Sequence, residues 1–345
     1  MTTVAAIGVP TGVCTGIRPF NPFRDLPQVT RLLAQVFGPE LSVESSSTAR
    51  LVRWMRRFPS LGWLWMGFDA WFDGNLGGYV WVCGDKLVGN ANIAPVGVTG
   101  RQWVLSNVAV EEGSRGRGIG RQLVEASLRY AWQRGADQVL LQVWQSNRPA
   151  LRLYESFGFR LSGRLWRLGL EPGRRLRPPV ARSDERLAWR RVRGGDLEAL
   201  KGMVAAMLPH KLRLLRPSPV SAFQEGLWQR LRRILAGSVT GTVPMRRVLL
   251  RDGRVVGGLA LTPVEKERAR LTVVLMPDPS EDTAAAVVSQ VTTLTADPTL
   301  DLLVDLPESL DRLRVALVQV GFEERDALLQ MSLERPYRAE WDLAV

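Results

Sequence analysis

The sequence predicts an α/β protein of the α+β type, built as two tandem halves. Three observations carry this expectation. Apolar runs suited to strands alternate with segments of helical periodicity along the chain. A strand, a glycine-rich turn and a helix follow one another between Trp103 and Gly135. The pattern of the first half then returns after residue 186 without its glycine-rich turn. A length of 345 residues suits two domains of ~150–175 residues each. An apolar content of 46% is enough for real cores and argues against disorder.

Taken in order, residues 1–15 read as a lead-in and Gly16–Phe20 as a first strand. Asp25, Leu26, Val29, Leu32, Leu33, Val36 and Phe37 then mark an amphipathic helix ending before Gly38-Pro39. Ser45–Phe58 reads as a second helix, with Ser45 or Ser46 as its cap. Leu61–Phe72 gathers large apolar side chains, with Asp69 and Asp73 the nearest carboxylates. That stretch either forms a greasy pocket or partner surface, or packs over the sheet. Tyr79–Cys83 and Leu87–Ala94 read as a hairpin turning at Gly84-Asp85. The buried strand Val104–Val110 follows, then a helix through Leu123, Val124, Leu128, Ala131 and Trp132, stopped at Gly135. Val139–Val143 is a further strand, a helix carries Tyr154, and Phe159–Leu170 supplies the closing strands. The charged, proline-rich run Glu171–Pro179 breaks the pattern. The boundaries expected are 1–172, a linker at 173–185, and 186–345.

The turn ahead of the second long helix reads Arg115-Gly116-Arg117-Gly118-Ile119-Gly120-Arg121. A helix N-terminus presents unpaired N–H groups and the positive end of the dipole, a ready place for phosphate. The glycines let the backbone approach an anion, and Arg115, Arg117 and Arg121 add charge and hydrogen-bond forks. The spacing is neither Gly-x-Gly-x-x-Gly nor that of a P-loop. It is Arg-x-x-Gly-x-Gly, and here the chain resembles the GNAT superfamily of N-acetyltransferases, whose pyrophosphate loop has that form. Downstream, Asn147-Arg148-Pro149-Ala150-Leu151-Arg152-Leu153-Tyr154-Glu155-Ser156-Phe157-Gly158-Phe159 is similar to that family's second signature, Asn-x-x-Ala-x-x-Leu-Tyr-x-x-x-Gly-Phe, at every fixed position.

The resemblance implies the element order βααβββαβαββ, a mixed, mostly antiparallel sheet flanked by helices, and acetyl-CoA as co-substrate. It implies that backbone groups of Val108, Ala109 and Val110 meet the pantetheine arm and thioester, and that Arg115, Gly116, Arg117, Gly118, Ile119, Gly120 and Arg121 hold the pyrophosphate. Asn147 would contact pantetheine or cap its helix, and Tyr154 would act as general acid toward the sulfur. It also implies that the segment after the first helix helps form the acceptor site. The strand 101–110 holds no carboxylate, and Glu111 and Glu112 follow at once. No base is assigned; Asp69, Asp73 or a water relay remain open.

The second half repeats the first by pattern. Asp25-Leu26 and its helix line up with Asp196-Leu197, the hairpin Gly84–Gly89 with Asp252–Gly257, and Gly158-Phe159 with Gly321-Phe322. Opposite the arginine–glycine loop stands Glu281-Asp282-Thr283-Ala284-Ala285-Ala286, whose carboxylates repel a pyrophosphate, and opposite Tyr154 stands Leu317. The half therefore resembles a degenerate GNAT domain, an arrangement similar to that of mycothiol synthase. It would shape the acceptor cleft, mediate dimerisation or stabilise the first half.

The net charge is +12, carried by 42 Arg against 4 Lys. A nucleic acid partner is compatible with it, but the arginines are spread over both halves, so that reading is not favoured. Cys14 and Cys83 make neither a disulfide framework nor a metal site, and no metal is expected with a single histidine, His210. No apolar run reaches the ~20 residues of a membrane span, and no basic residue precedes the first apolar run as in a secretory leader, so the cytoplasm is expected. The function expected is acetyl transfer to a primary amine in a ternary complex, the acceptor being a small molecule or a protein. The alternative is a non-catalytic CoA-binding regulatory or scaffolding module.

Overall fold

A computed structural model describes residues 14–41, 77–97, 99–174, 176–177, 186–215, 218–224, 244–265, 268–294 and 300–336. The expected helix at 45–58, the aromatic run at 61–72 with Asp69 and Asp73, and most of the linker lie outside the described residues. The chain divides into two compact units. The first holds the chain through Leu141, Leu153–Arg160 and the chain from Ser332; the second holds Gln142–Arg152 and Leu161–Met331.

In the first unit, β1 (Cys14–Pro19), β2 (Gly77–Cys83), β3 (Lys86–Val96) and β4 (Gln102–Val110) pair antiparallel in that order. The start of β5 (Gln138–Trp144) joins β4 in parallel. α1 (Pro22–Leu41) begins earlier than its periodicity suggests. Asn21 Oδ1 accepts the N–H groups of Phe23 at 3.0 Å and Arg24 at 3.3 Å, and Pro22 suits a first helical turn. The helix also runs past Gly38-Pro39, since a proline there gives up only one backbone hydrogen bond. Val29, Leu32 and Leu33 of α1 pack on Val80, Leu87 and Ala109. The opposite face is covered by α2 (Ile119–Gln133), through Leu123, Val124, Leu128 and Ala131, all fully buried. Truncating any one of these buried leucines to alanine costs about 2–5 kcal/mol. Cys83 is disulfide-bonded, and the β1–β2 register sets Cys14 opposite it, a pairing that sequence separation had hidden.

In the second unit, β7 (Leu187–Arg191), β8 (Met245–Arg251), β9 (Arg254–Glu265) and β10 (Arg268–Leu275) pair antiparallel in order, and β11 (Asp301–Pro307) joins β10 in parallel. α4 (Asp196–Met207), α5 (His210–Leu215), α6 (Glu281–Leu294) and α7 (Asp311–Val320) complete the repeat; α3 (Arg148–Ser156) precedes them in the chain. The likeness extends to irregularities. The β2–β3 ladder slips between Trp81 and Val82, and the β8–β9 ladder between Leu249 and Leu250, each facing an aligned glycine, Gly89 or Gly257.

One expectation is corrected. Phe159–Leu170 does not supply two strands; it forms one, β6 (Arg160–Leu170), antiparallel to β11 from Leu165–Pro307 to Leu170–Leu302. Its other neighbour is β12 (Glu323–Glu334), the last strand of the chain. Leu165, Leu168 and Leu170 are buried in the second unit's core with Leu302, Val304 and Leu306. The division of the chain thus falls within the β5–β6 region as well as at the linker.

Candidate functional site

The site is built where β4 runs into α2. β4 and β5 are paired only over Gln102–Val104 and Gln138–Leu140, so beyond Val104 the two strands part. On its other side β4 stays paired to β3, but with a bulge: Asn90 faces Ala109 while Asn92 faces Ser106, so Asn107 and Val108 together oppose Ala91. Asn107 takes the strained left-handed value φ 53°, as bulges require of one residue. Val108, Ala109 and Val110 therefore lie on a strand edge that has left its parallel neighbour. Ala109 is buried toward α1, and the Val110 carbonyl accepts the Arg115 Nε at 3.1 Å.

A single 3₁₀ turn, Glu112–Ser114, leads into the loop. Gly116 and Gly118 have φ 75° and 77°, a region that side chains with a Cβ rarely adopt. Gly118 is the N-cap of α2, and no side chain caps the helix. The first bond within it is Gln122 N–H to Gly118 C=O at 3.1 Å, which leaves the N–H groups of Ile119, Gly120 and Arg121 for another acceptor. Gly120 is different. Its φ is ordinary, and a Cβ there would meet only Leu153 Cδ2 at 3.6 Å and Val110 Cγ2 at 3.7 Å, normal contacts. Glycine inside a helix costs about 1 kcal/mol against alanine, so the chain's own packing gives no reason for it.

Arg115, Arg117 and Arg121 are exposed and, among the described residues, carry no carboxylate partner. Arg117 Nη2 reaches Gly113 C=O at 3.4 Å; Arg121 Nη2 donates to Ser156 Oγ at 3.2 Å and stacks 5.0 Å over Phe157. Ile119 is buried and anchors the turn. Left-handed glycines, free helix N–H groups and three unpaired guanidiniums fit a diphosphate.

Tyr154, on α3, is 6% exposed and packs edge-on against Phe159 at 5.9 Å. Burial pushes its phenol well above its ordinary value, so it stays protonated. Asn147 Oδ1 accepts the Ala150 N–H at 3.2 Å, so the residue caps α3. Glu111 pairs with Lys86, and Glu112 is exposed. Sequence reasoning passed over three asparagines. Asn90 Nδ2 donates to Asn92 Oδ1 and to the Asn107 carbonyl, both at 2.9 Å, and Asn107 Nδ2 donates to Asn92 Oδ1 at 3.2 Å. Polar residues at alternate positions of a buried strand, Gly-Asn-Ala-Asn-Ile, were the signal that could have found them.

The corresponding place in the second unit is filled from within. Ser280 caps α6 by accepting the Thr283 N–H at 3.3 Å, and Arg251 Nη2 lies 3.2 Å from both Ser280 Oγ and Thr283 Oγ1. Glu281 and Asp282 occupy the first turn. The β9–β10 ladder runs without a break from Pro263–Ala269 to Gly257–Leu275, so it lacks the bulge of β4. Leu317 is fully buried. Among the described residues no cluster of His, Cys, Asp or Glu suits a metal, and no helix is long and apolar enough to cross a membrane.

Comparison with known proteins places this site. Residues 43–159 match the model of the acetyltransferase (GNAT) family. A mycothiol acetyltransferase of Thermobispora bispora is 33% identical over 168 residues, 46% of this chain and 50% of that one. Another, of Thermomonospora curvata, is 34% identical over 155 residues, 44% of this chain and 46% of that one. The matched stretch spans about half the length of these curated relatives. A GCN5-related N-acetyltransferase from Sphaerobacter thermophilus shares the fold over 93% of this chain and 96% of its own, with a TM-score of 0.55 and 17% identity. A tandem GNAT protein from the clavulanic acid biosynthesis pathway does so over 93% and 99%, with a TM-score of 0.56 and 15% identity. Loop, helix, bulged strand and repeated architecture thus converge, and the chain belongs to the GNAT acetyltransferase family, its family-matching domain in the first half and a tandem GNAT fold overall.

Proposed function

We propose that the protein moves an acetyl group from acetyl-CoA to a primary amine, with both bound at once. The observation that carries this reading is the loop at 115–121, where three arginines without acidic partners surround an uncapped helix start. Arg115, Arg117 and Arg121, with the N–H groups of Ile119 and Gly120, hold the diphosphate, and Gly116, Gly118 and Gly120 keep the backbone bare beneath it. Acetyl-CoA, when bound, supplies an acetyl group already activated as a thioester. The freed edge of Val108, Ala109 and Val110 lines the pantetheine arm, and an N–H there meets the negative charge that builds on the carbonyl oxygen. Asn147 fixes the start of α3 and keeps an exposed amide nitrogen for the pantetheine.

Tyr154 serves the departing sulfur as a hydrogen-bond donor that keeps its proton. A thiolate near its usual pKa of ~8.5 is too weak a base to remove a phenol proton held above the ordinary ~10. Juxtaposing amine and thioester contributes the larger part of the barrier reduction, which does not need a strong base. The acceptor of the relatives named mycothiol acetyltransferase is the first to test.

Calorimetric titration of acetyl-CoA tests the reading. Micromolar binding at one site per chain is expected, the second unit's helix start being capped and acidic. No binding overturns it, and two sites would overturn the assignment of an empty second unit.

A further inference from the structure

Asn90 is fully buried in β3, and its Oδ1 is the one buried side-chain oxygen of the first unit's described residues that has no hydrogen-bond donor. An amide flip does not relieve it. Nδ2 is 2.9 Å from the Asn107 carbonyl and 2.9 Å from Asn92 Oδ1, so turning the amide would set oxygen against two oxygens. Asn92 Oδ1 is in turn held by Asn107 Nδ2 at 3.2 Å. The network fixes Asn90 with its free acceptor pointing away from all three asparagines' donors. An orphaned buried acceptor costs stability, and natural folds keep few of them.

The cluster also sits at a particular place. The Asn107 carbonyl it grips belongs to the β4 bulge, and Ala109 is the cross-strand partner of Asn90. Ser106, at the other end of the bulge, is exposed. The second unit repeats the hairpin but keeps neither feature: at the aligned positions Gly258 and Ala260 replace Asn90 and Asn92, and β10 has no bulge. Bulge and asparagines are present together or absent together.

We infer that Asn90 Oδ1 receives an N–H of the primary amine that accepts the acetyl group, with Asn92 and Asn107 as the residues that position it. This rests on the proposed function, which puts the thioester against Val108–Val110. The amine nitrogen bonds to the acetyl carbon as the carbon–sulfur bond breaks; the sulfur leaves with the bonding electrons and the amine releases one proton to water. Asn90 accepts a hydrogen bond throughout and takes no proton.

The test compares wild type, Asn90→Leu and Asn90→Ser, first for acetyl-CoA binding by calorimetry and then for transfer to hydroxylamine and to a panel of primary amines. Asn90→Leu should raise the amine KM about tenfold or more, the loss of one hydrogen bond to a buried partner. Acetyl-CoA affinity should stay unchanged, and Asn90→Ser, which keeps a small acceptor, should recover part of the loss. Intact acetyl-CoA binding in Asn90→Leu also certifies its fold; if that variant does not fold, Asn90→Ser alone must raise the amine KM. An unchanged amine KM, or a wild type that binds acetyl-CoA yet acetylates no amine, overturns the inference. A wild type that binds no acetyl-CoA overturns the proposed function instead.

Discussion

Asp196 takes the Arg190 guanidinium in a two-pronged grip at 2.7 and 2.7 Å, the same grip that Asp25 takes on Arg18 at 2.6 and 2.7 Å. Each carboxylate opens a helix, accepts an upstream N–H (Arg193 at 2.7 Å, Asn21 at 2.8 Å), and draws its arginine from the preceding strand. In each, the same guanidinium nitrogen also donates to the following carbonyl, Arg191 or Pro19. The internal repeat is therefore conserved at the level of single atoms, at a place with no part in the proposed chemistry.

These two aspartates predict acid sensitivity. Burial opposes ionisation of Asp25, but bonds from Arg18, the Asn21 N–H and Arg24 outweigh it and hold its carboxyl below the ordinary value. For Asp196 the Arg190 bond dominates in the same direction. A carboxyl lowered in the folded state contributes stability above the unfolded pKa and loses it as pH falls through the folded one. Urea denaturation should therefore show stability falling below about pH 4. Asp25→Asn at pH 7 should cost about 1–3 kcal/mol and flatten that fall.

Gly118 and Gly120 should respond oppositely to alanine. Gly118→Ala forces a Cβ into left-handed backbone and should lower stability by about 1–2 kcal/mol. Gly120→Ala should leave thermal stability unchanged or raise it, while weakening acetyl-CoA binding. Thermal melts and calorimetry on the same samples separate the two; a Gly120→Ala protein with full affinity would remove this glycine from the site.

Replacing Arg115, Arg117 or Arg121 by glutamine should weaken acetyl-CoA binding by about three- to tenfold each and reduce its dependence on salt. Exposed and without acidic partners, these side chains should contribute little to stability, so melting temperatures should stay within about 2 °C of wild type.

Tyr154→Phe should retain acetyl-CoA affinity and lower kcat by about 10²-fold, the scale of one positioned proton-bearing group. With the phenol raised by burial, the wild-type pH–rate profile should have no alkaline limb from Tyr154 below about pH 10. A tyrosine-dependent limb near neutrality would contradict its role as a neutral donor.

The loop and the α3 signature were legible because their information is local. Glycine at a left-handed position and arginine beside a helix start act within a few residues of themselves. The helix Val29–Leu33 and both hairpins were legible for the same reason, through periodicity and turn chemistry. Asn90, Asn92 and Asn107 were not, because they meet only through a bulge in the β3–β4 register. The extension of α1 to Pro22 turned on one asparagine cap. The partner of β6 was hidden for the strongest reason: Leu168 pairs with Val304, and nothing near either residue announces the other.

That pairing determines how the chain can be cut. A fragment starting after the linker, at 186, would contain β11 but not β6, leaving 302–307 as a bare apolar strand edge with Leu302, Val304 and Leu306 deprived of their cover. Such an edge invites sheet-to-sheet aggregation. The break in composition at 171–179 marks where the sequence changes character, but a protein expressed from that point onward begins life one strand short.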